Sequence, residues 1–198
     1  TSASPASGGS VEADLAPNCP GDGTKYAAGT QLQLTPNPAQ GYPFASRSGD
    51  VGGSTNPTTV TMDGDRSVTA NFSQQCYTLT TSASPASGGS VEADIAPNCP
   101  GDGGTYTSGT QIQLTAKPAQ GYRFASWSGD AGGSTNPTSV TMDGDRSVTA
   151  NFSQQCYTLT VSASPGAGGS VEADIAPNCS GDETKYASGT QVQLRAIP

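Results

Sequence analysis

The sequence predicts a β-dominated protein built as a tandem of small modules, and three observations carry that prediction. Residues 1–80 overlay 81–160 without a gap, with 68 of 80 positions identical, and residues 161–198 begin a third copy. A fixed period makes the fold a property of one unit, and a unit of 80 residues is longer than solenoid repeats of roughly 20–50. It suits a small domain in a string of beads. Apolar and polar residues alternate over short stretches, which is the period of a half-buried strand. The 26 glycines and 15 prolines supply frequent turns and leave little room for helix.

The period cuts the chain into a first module, 1–75, that lacks its first half-strand, a complete second module, 76–155, and a truncated third, 156–198. In the complete copy, "CYTLTTSAS" (76–84) places Tyr77, Leu79, Thr81 and Ala83 on one face. "PASGG" (85–89) has turn chemistry, and "SVEADIA" (90–96) alternates Val91, Ala93 and Ile95. This predicts a β-hairpin with Leu79 opposite Ile95 and Ala83 opposite Val91. A third strand follows over 110–116, with Ile112, Leu114 and Ala116 inward. Tyr122 and Phe124 then share a face, with Trp127 out of phase by one residue. A bulge between them lets all three reach the core. Around "DGD", an odd-length loop Asp143–Asp145 keeps Val140 and Val148 on one side of a closing hairpin. "SQQ" (153–155) is a very short linker.

Leu, Ile, Val and Phe total 25 of 198 residues, so each module has a thin core. Domains near 80 residues sit where covalent staples help. The five cysteines at 19, 76, 99, 156 and 179 obey the period, and the chain has no histidine. Their spacing is not that of a zinc site. The predicted hairpin brings Cys76 and Cys99 to its open end, once Pro97 has stopped the ladder. The expected bridges are therefore Cys76–Cys99 and Cys156–Cys179, one hairpin disulfide per module. The period places the partner of Cys19 ahead of Thr1, so Cys19 is expected unpaired here. Disulfides imply an oxidising compartment.

A formal net charge of −8 argues against nucleic acid, and no apolar run is long enough to insert in a membrane as a helix. Without histidine there is no Ser-His-Asp or Cys-His arrangement. Glu92 with Asp94, and Asp143 with Asp145, read as a solvated strand face and a turn, since a calcium loop needs six to eight organised oxygens. No enzyme, metal or cofactor is expected. Asn71 and Asn151 sit in Asn-Phe-Ser sequons and are candidate glycosylation positions. Tyr26, Tyr106 and Tyr186 lie in exposed loops, as plugs over the core or as stacking surfaces for sugar.

The stretches "YTLTVSASPGAGGSVEAD", "GTQVQL", "GYRFASWSGD" and "VTMDGDRSVTANF" resemble the bacterial repeat domain described as a divergent internalin B-repeat, over essentially every module. The resemblance implies a β-grasp-like, strand-dominated domain on secreted and surface proteins, without catalytic activity. It also implies core roles for Tyr122, Phe124, Trp127 and Phe152. The first module departs from the pattern, with Arg47 at the tryptophan position and Pro43 in place of Arg123.

These observations lead to an expected structural role, an extracellular stalk, fibre or surface filament that self-associates through strand edges. The alternative is an adhesin whose loops hold a carbohydrate or a surface protein ligand. The loop residues "TKYAA" (24–28) and "GTYTS" (104–108), which differ between copies, give that alternative its support.

Overall fold

The computed structural model describes residues 1–198. Its strands are β1 Ser2–Ser4, β2 Gly9–Ala13, β3 Gln31–Pro38, β4 Phe44–Gly49, β5 Thr58–Thr61, β6 Val68–Phe72, β7 Cys76–Tyr77, β8 Leu79–Ser84 and β9 Gly89–Ala93. They continue with β10 Tyr106–Thr107, β11 Gln111–Pro118, β12 Tyr122–Gly129, β13 Thr138–Thr141, β14 Arg146–Gln154, β15 Cys156–Tyr157, β16 Ser170–Ala173, β17 Tyr186–Ala187 and β18 Leu194–Ile197. The helical content is three single 3₁₀ turns. The β-dominated prediction holds.

The chain divides into two compact units. The first contains Thr1–Thr78, Pro97–Thr110 and Met142–Gly144. Two three-stranded sheets form it, in the orders β1-β6-β4 and β2-β3-β5, with β7 and β10 as a separate ribbon. Leu32, Leu34, Val60 and Val68 are its buried cluster, and Val11, Tyr26, Val51 and Met62 pack against it.

The second unit contains Leu79–Ala96, Gln111–Thr141 and Asp145–Pro198. Its sheets run β8-β14-β12 and β9-β11-β13, joined by the ribbons β15-β17 and β16-β18. The central strand β14 pairs antiparallel with β12 and parallel with β8, so the first and last long strands of the module lie side by side. Alternation along β11 buries Ile112, Leu114 and Ala116, each at most 3% exposed. Burying Ile112 or Leu114 contributes about 1.5–3 kcal/mol each. The predicted bulge is present: the β12–β14 register slips between Phe124 and Ser126. Trp127 is thereby turned inward to 3% exposure, beside Phe124 at a ring separation of 5.1 Å.

Two predicted pairings are corrected. β8 and β9 do not form a hairpin. β8 pairs with β14 in one sheet and β9 with β11 in the other, where Ala93 faces Leu114. The 3₁₀ turn Ala86–Gly88 carries the chain between sheets. Period-two parity sees which residues share a face, and it is blind to whether that face belongs to one sheet or to two facing sheets. Ile95, placed in the predicted stripe, falls beyond β9 and is 37% exposed. For the same reason "DGD" closes no hairpin: β13 pairs with β11 and β14 with β12. Val140 and Val148 are both buried because they enter the core from opposite sheets.

The crossing at Ala86–Gly88 depends on the glycine that follows it. Gly89 has φ +155°, and a Cβ there would lie 2.3 Å from the Lys117 carbonyl oxygen and 2.7 Å from Phe152 Cζ. Backbone cannot yield to that clash cheaply, so Gly89→Ala should destabilise the second module by more than ~1 kcal/mol in denaturant unfolding. An unchanged midpoint would refute the close approach.

Residues 159–164 repeat the β8 sequence almost letter for letter yet form no strand. The partner of β8, Arg146–Asn151, has no counterpart for the third copy within residues 1–198. Leu159 and Val161 are accordingly 40% exposed. Strand formation here is a tertiary property and is not set by local propensity.

Candidate functional site at the module junction

Each compact unit combines the core of one module with the cysteine loop of the next. The linker between modules is the element that joins them. In the first unit, the Gln75 amide donates to the Gly41 carbonyl (2.8 Å), and the Gln75 carbonyl accepts from the Ser108 amide (3.0 Å). β7 pairs with β10, placing Cys76 opposite Thr107 and Tyr77 opposite Tyr106. Cys76 is bonded to Cys99, with 6.0 Å between their Cα atoms. Gly41, at φ +77°, lies so close that an added Cβ would be 2.9 Å from Ser108 Cβ.

The second unit repeats the arrangement. Gln155 donates to Gly121 (2.8 Å) and accepts from Ser188 (2.8 Å), Cys156 faces Ala187, and Cys156 is bonded to Cys179. The side chain of Gln154 adds an acceptor for the Ser180 amide at 3.0 Å. The predicted linker "SQQ" is thus bonded on both sides, and Ser153 and Gln154 belong to β14. The expected disulfides are present, one per repeat. They close through the cysteine loop and the β7–β10 type of ribbon, with no hairpin involved. Cys19 is a free, half-buried thiol.

The other predicted residues fall as follows. Trp127 and Phe152 are buried, while Tyr122 and Phe124 are half-buried. Tyr106, expected in an exposed loop, is 5% exposed, because the loop that carries it pairs with β7. Tyr26 and Tyr186 are half-buried, and their hydroxyls donate to the Leu15 and Ile175 carbonyls at 3.1 Å. They plug the loop from its own side. The Nδ2 atoms of Asn71 and Asn151 each donate to two serine hydroxyls, Ser46 and Ser48 or Ser126 and Ser128. A sugar at either nitrogen would displace those bonds.

Several acids that look solvated in sequence hold backbone. Asp14, Asp94 and Asp174 accept from the amides of Gln33, Gln113 and Gln193. Asp50 and Asp130 accept from Ser67 and Ser147. The 80-residue period of "EAD" and "SGD" is the signal that would have exposed these caps. Glu92 pairs with Lys117 across neighbouring strands. No group of three or more His, Cys, Asp or Glu is assembled. No helix is long and apolar enough to cross a membrane.

Asp182 closes the turn next to the Cys156–Cys179 bridge. It accepts from the Thr184 hydroxyl and amide and pairs with Lys185 at 2.9 Å. The Thr184 hydroxyl, then Lys185 and the Thr184 amide, lower its carboxyl to about 2. A lowered carboxylate stabilises the fold fully above its unfolded value, near 3.8, and that contribution is lost as pH falls through about 2. An NMR titration should find the Asp182 midpoint well below that of an ordinary aspartate. A midpoint near 3.8 would refute the turn.

Arg47 occupies the tryptophan position of the first module and takes over its contacts. Trp127 Nε1 donates to the Thr135 carbonyl at 3.0 Å, and Arg47 Nη1 donates to the carbonyl of Thr55, the equivalent residue. The guanidinium lies 5.7 Å from the Phe44 ring centre, where Trp127 meets Phe124. Arg47 is nevertheless 5% exposed, its Nε has no partner, and it makes no ion pair.

Strand-built repeats, joined by a hydrogen-bonded linker and carrying one disulfide each, define a tandem structural-repeat protein. Residues 1–76 and 77–156 each match the divergent InlB B-repeat domain, and the chain belongs to that family. No curated protein matches the chain, and no solved structure does. Tandem domains of this bacterial family, with disulfides, are consistent with a repeat-containing surface protein outside the cytoplasm.

Proposed function

We propose that this chain is a non-catalytic spacer, a segment of an extracellular stalk, fibre or surface filament whose repeated modules supply length. The repeated junction carries this reading. The same glutamine amide, glycine carbonyl, serine amide and disulfide recur 80 residues apart, so the linkage between modules is built to one pattern. Self-association would use the sheet edges β8, β9, β12 and β13, since unpaired edges accept strands.

Negative-stain imaging of the purified protein tests the reading. Regular extended rods or filaments are expected. Particles whose modules sit at freely varying angles would overturn it. The adhesin reading draws support from one place, the charged cleft at the second junction.

A further inference from the structure

Twelve positions differ between the first two copies, and they include the two that decide the charge of the junction. At the second junction Arg123, Gln154, Gln155, Tyr157, Asp182 and Lys185 line an open cleft of about 400 Å³. At the first junction the positions of Arg123 and Lys185 hold Pro43 and Thr105. A chain of net charge −8 has only eight basic residues, and two of them meet in this cleft. One acid, Asp182, faces them, leaving a local charge of +1.

We propose that this cleft binds a carboxylate-bearing sugar unit of an acidic polysaccharide. Arg123 is held by its Nε, which donates to Ser153 Oγ at 2.9 Å, and its terminal nitrogens take no protein partner. That is the fork that grips a carboxylate by two parallel bonds. Lys185 adds a second cation. Tyr157 lines the cleft beside them and can stack on a pyranose, while the glutamine amides suit hydroxyls. The lining is mostly polar, which suits the hydroxyls of a saccharide. The site goes beyond the spacer reading and does not depend on it.

Titration calorimetry of the 198-residue protein with tetragalacturonate tests the proposal, with galactotetraose as the neutral control. One site is expected for the acidic oligomer and none for the neutral one, with affinity falling as salt rises. Arg123→Ala and Lys185→Ala should each weaken binding about tenfold, the size of one lost charge-assisted hydrogen bond, with melting unchanged. The double variant P43R/T105K should install a second site and raise the stoichiometry from one to two. No binding of tetragalacturonate, equal binding of the neutral oligomer, or undiminished binding by Arg123→Ala would overturn the proposal. So would equally tight binding of tetraglutamate, which would assign the cleft to protein carboxylates. Rod formation in the stain images is independent of every one of these outcomes.

Discussion

Trp127→Ala should destabilise the second module by about 3–5 kcal/mol, the usual cost of emptying a buried tryptophan site. Three contacts go at once: the bulge-directed packing, the ring contact with Phe124, and the bond that satisfies the Thr135 carbonyl. The first module has already made a version of this experiment. Arg47 keeps the carbonyl bond and lies over Phe44, but buries a guanidinium with an orphan Nε. A buried charge without an ion partner is costly. The surroundings have changed with it. Pro36 and Val51 stand where the second module has Ala116 and Ala131, and both add bulk. Pro36 also removes a donor. Asn136 clamps Ala116 by two bonds, at 2.8 and 2.9 Å, whereas Asn56 reaches the Pro36 carbonyl once, at 3.4 Å. The first module should therefore melt before the second, as two transitions in calorimetry of the whole chain. If Pro36 and Val51 crowd the site, Arg47→Trp alone should recover less than the triple variant P36A/R47W/V51A. If the single and triple variants melt alike, these residues are not coupled. If Trp127→Ala leaves unfolding unchanged, the core assignment of Trp127 fails.

The same comparison shows what was legible in the sequence. Alternation located β11 and its buried residues, because a strand in the middle of a sheet shows its pattern directly. Phase located the bulge, because Trp127 was bulky, apolar and off by one. The disulfide partners were reached through a predicted hairpin that does not form; the pairing holds because the loop carrying Cys99 folds back beside Cys76 at the β7–β10 ribbon. Sheet membership was not legible. Ala83 and Val91 lie near a common core from different sheets, and parity describes that arrangement and a hairpin in the same terms. The junction was also hidden: nothing in "GYR" or "TSGT" announces that Gly121 or Ser108 meets a glutamine from a linker. Such bonds join backbone atoms, which every residue carries, so the side-chain code is silent about them. Arg47 was legible only as an anomaly, since its bond to the Thr55 carbonyl and its place over Phe44 are tertiary contacts.

Removing the Cys76–Cys99 bridge should release the cysteine loop while leaving the sheets folded. The β7–β10 ribbon has two residues on each strand, and two-stranded ribbons of that length are not stable alone. The bridge across 23 residues of sequence removes about 3 kcal/mol of chain entropy from the unfolded state, and that contribution is lost with the sulfurs. In the double variant C76S/C99S, hydrogen exchange should therefore accelerate at the Ser108 and Gln75 amides, which mark the junction bonds. Amides of β3 and β6 should stay protected. The intact wild-type chain should gain about two hydrogens in mass per bridge on reduction, consistent with free Cys19 and four bonded cysteines. Continued slow exchange at Ser108 in the double variant would mean that the junction holds without its covalent tie. In that case the hydrogen bonds through Gln75, more than the sulfur bridge, hold the cysteine loop in place.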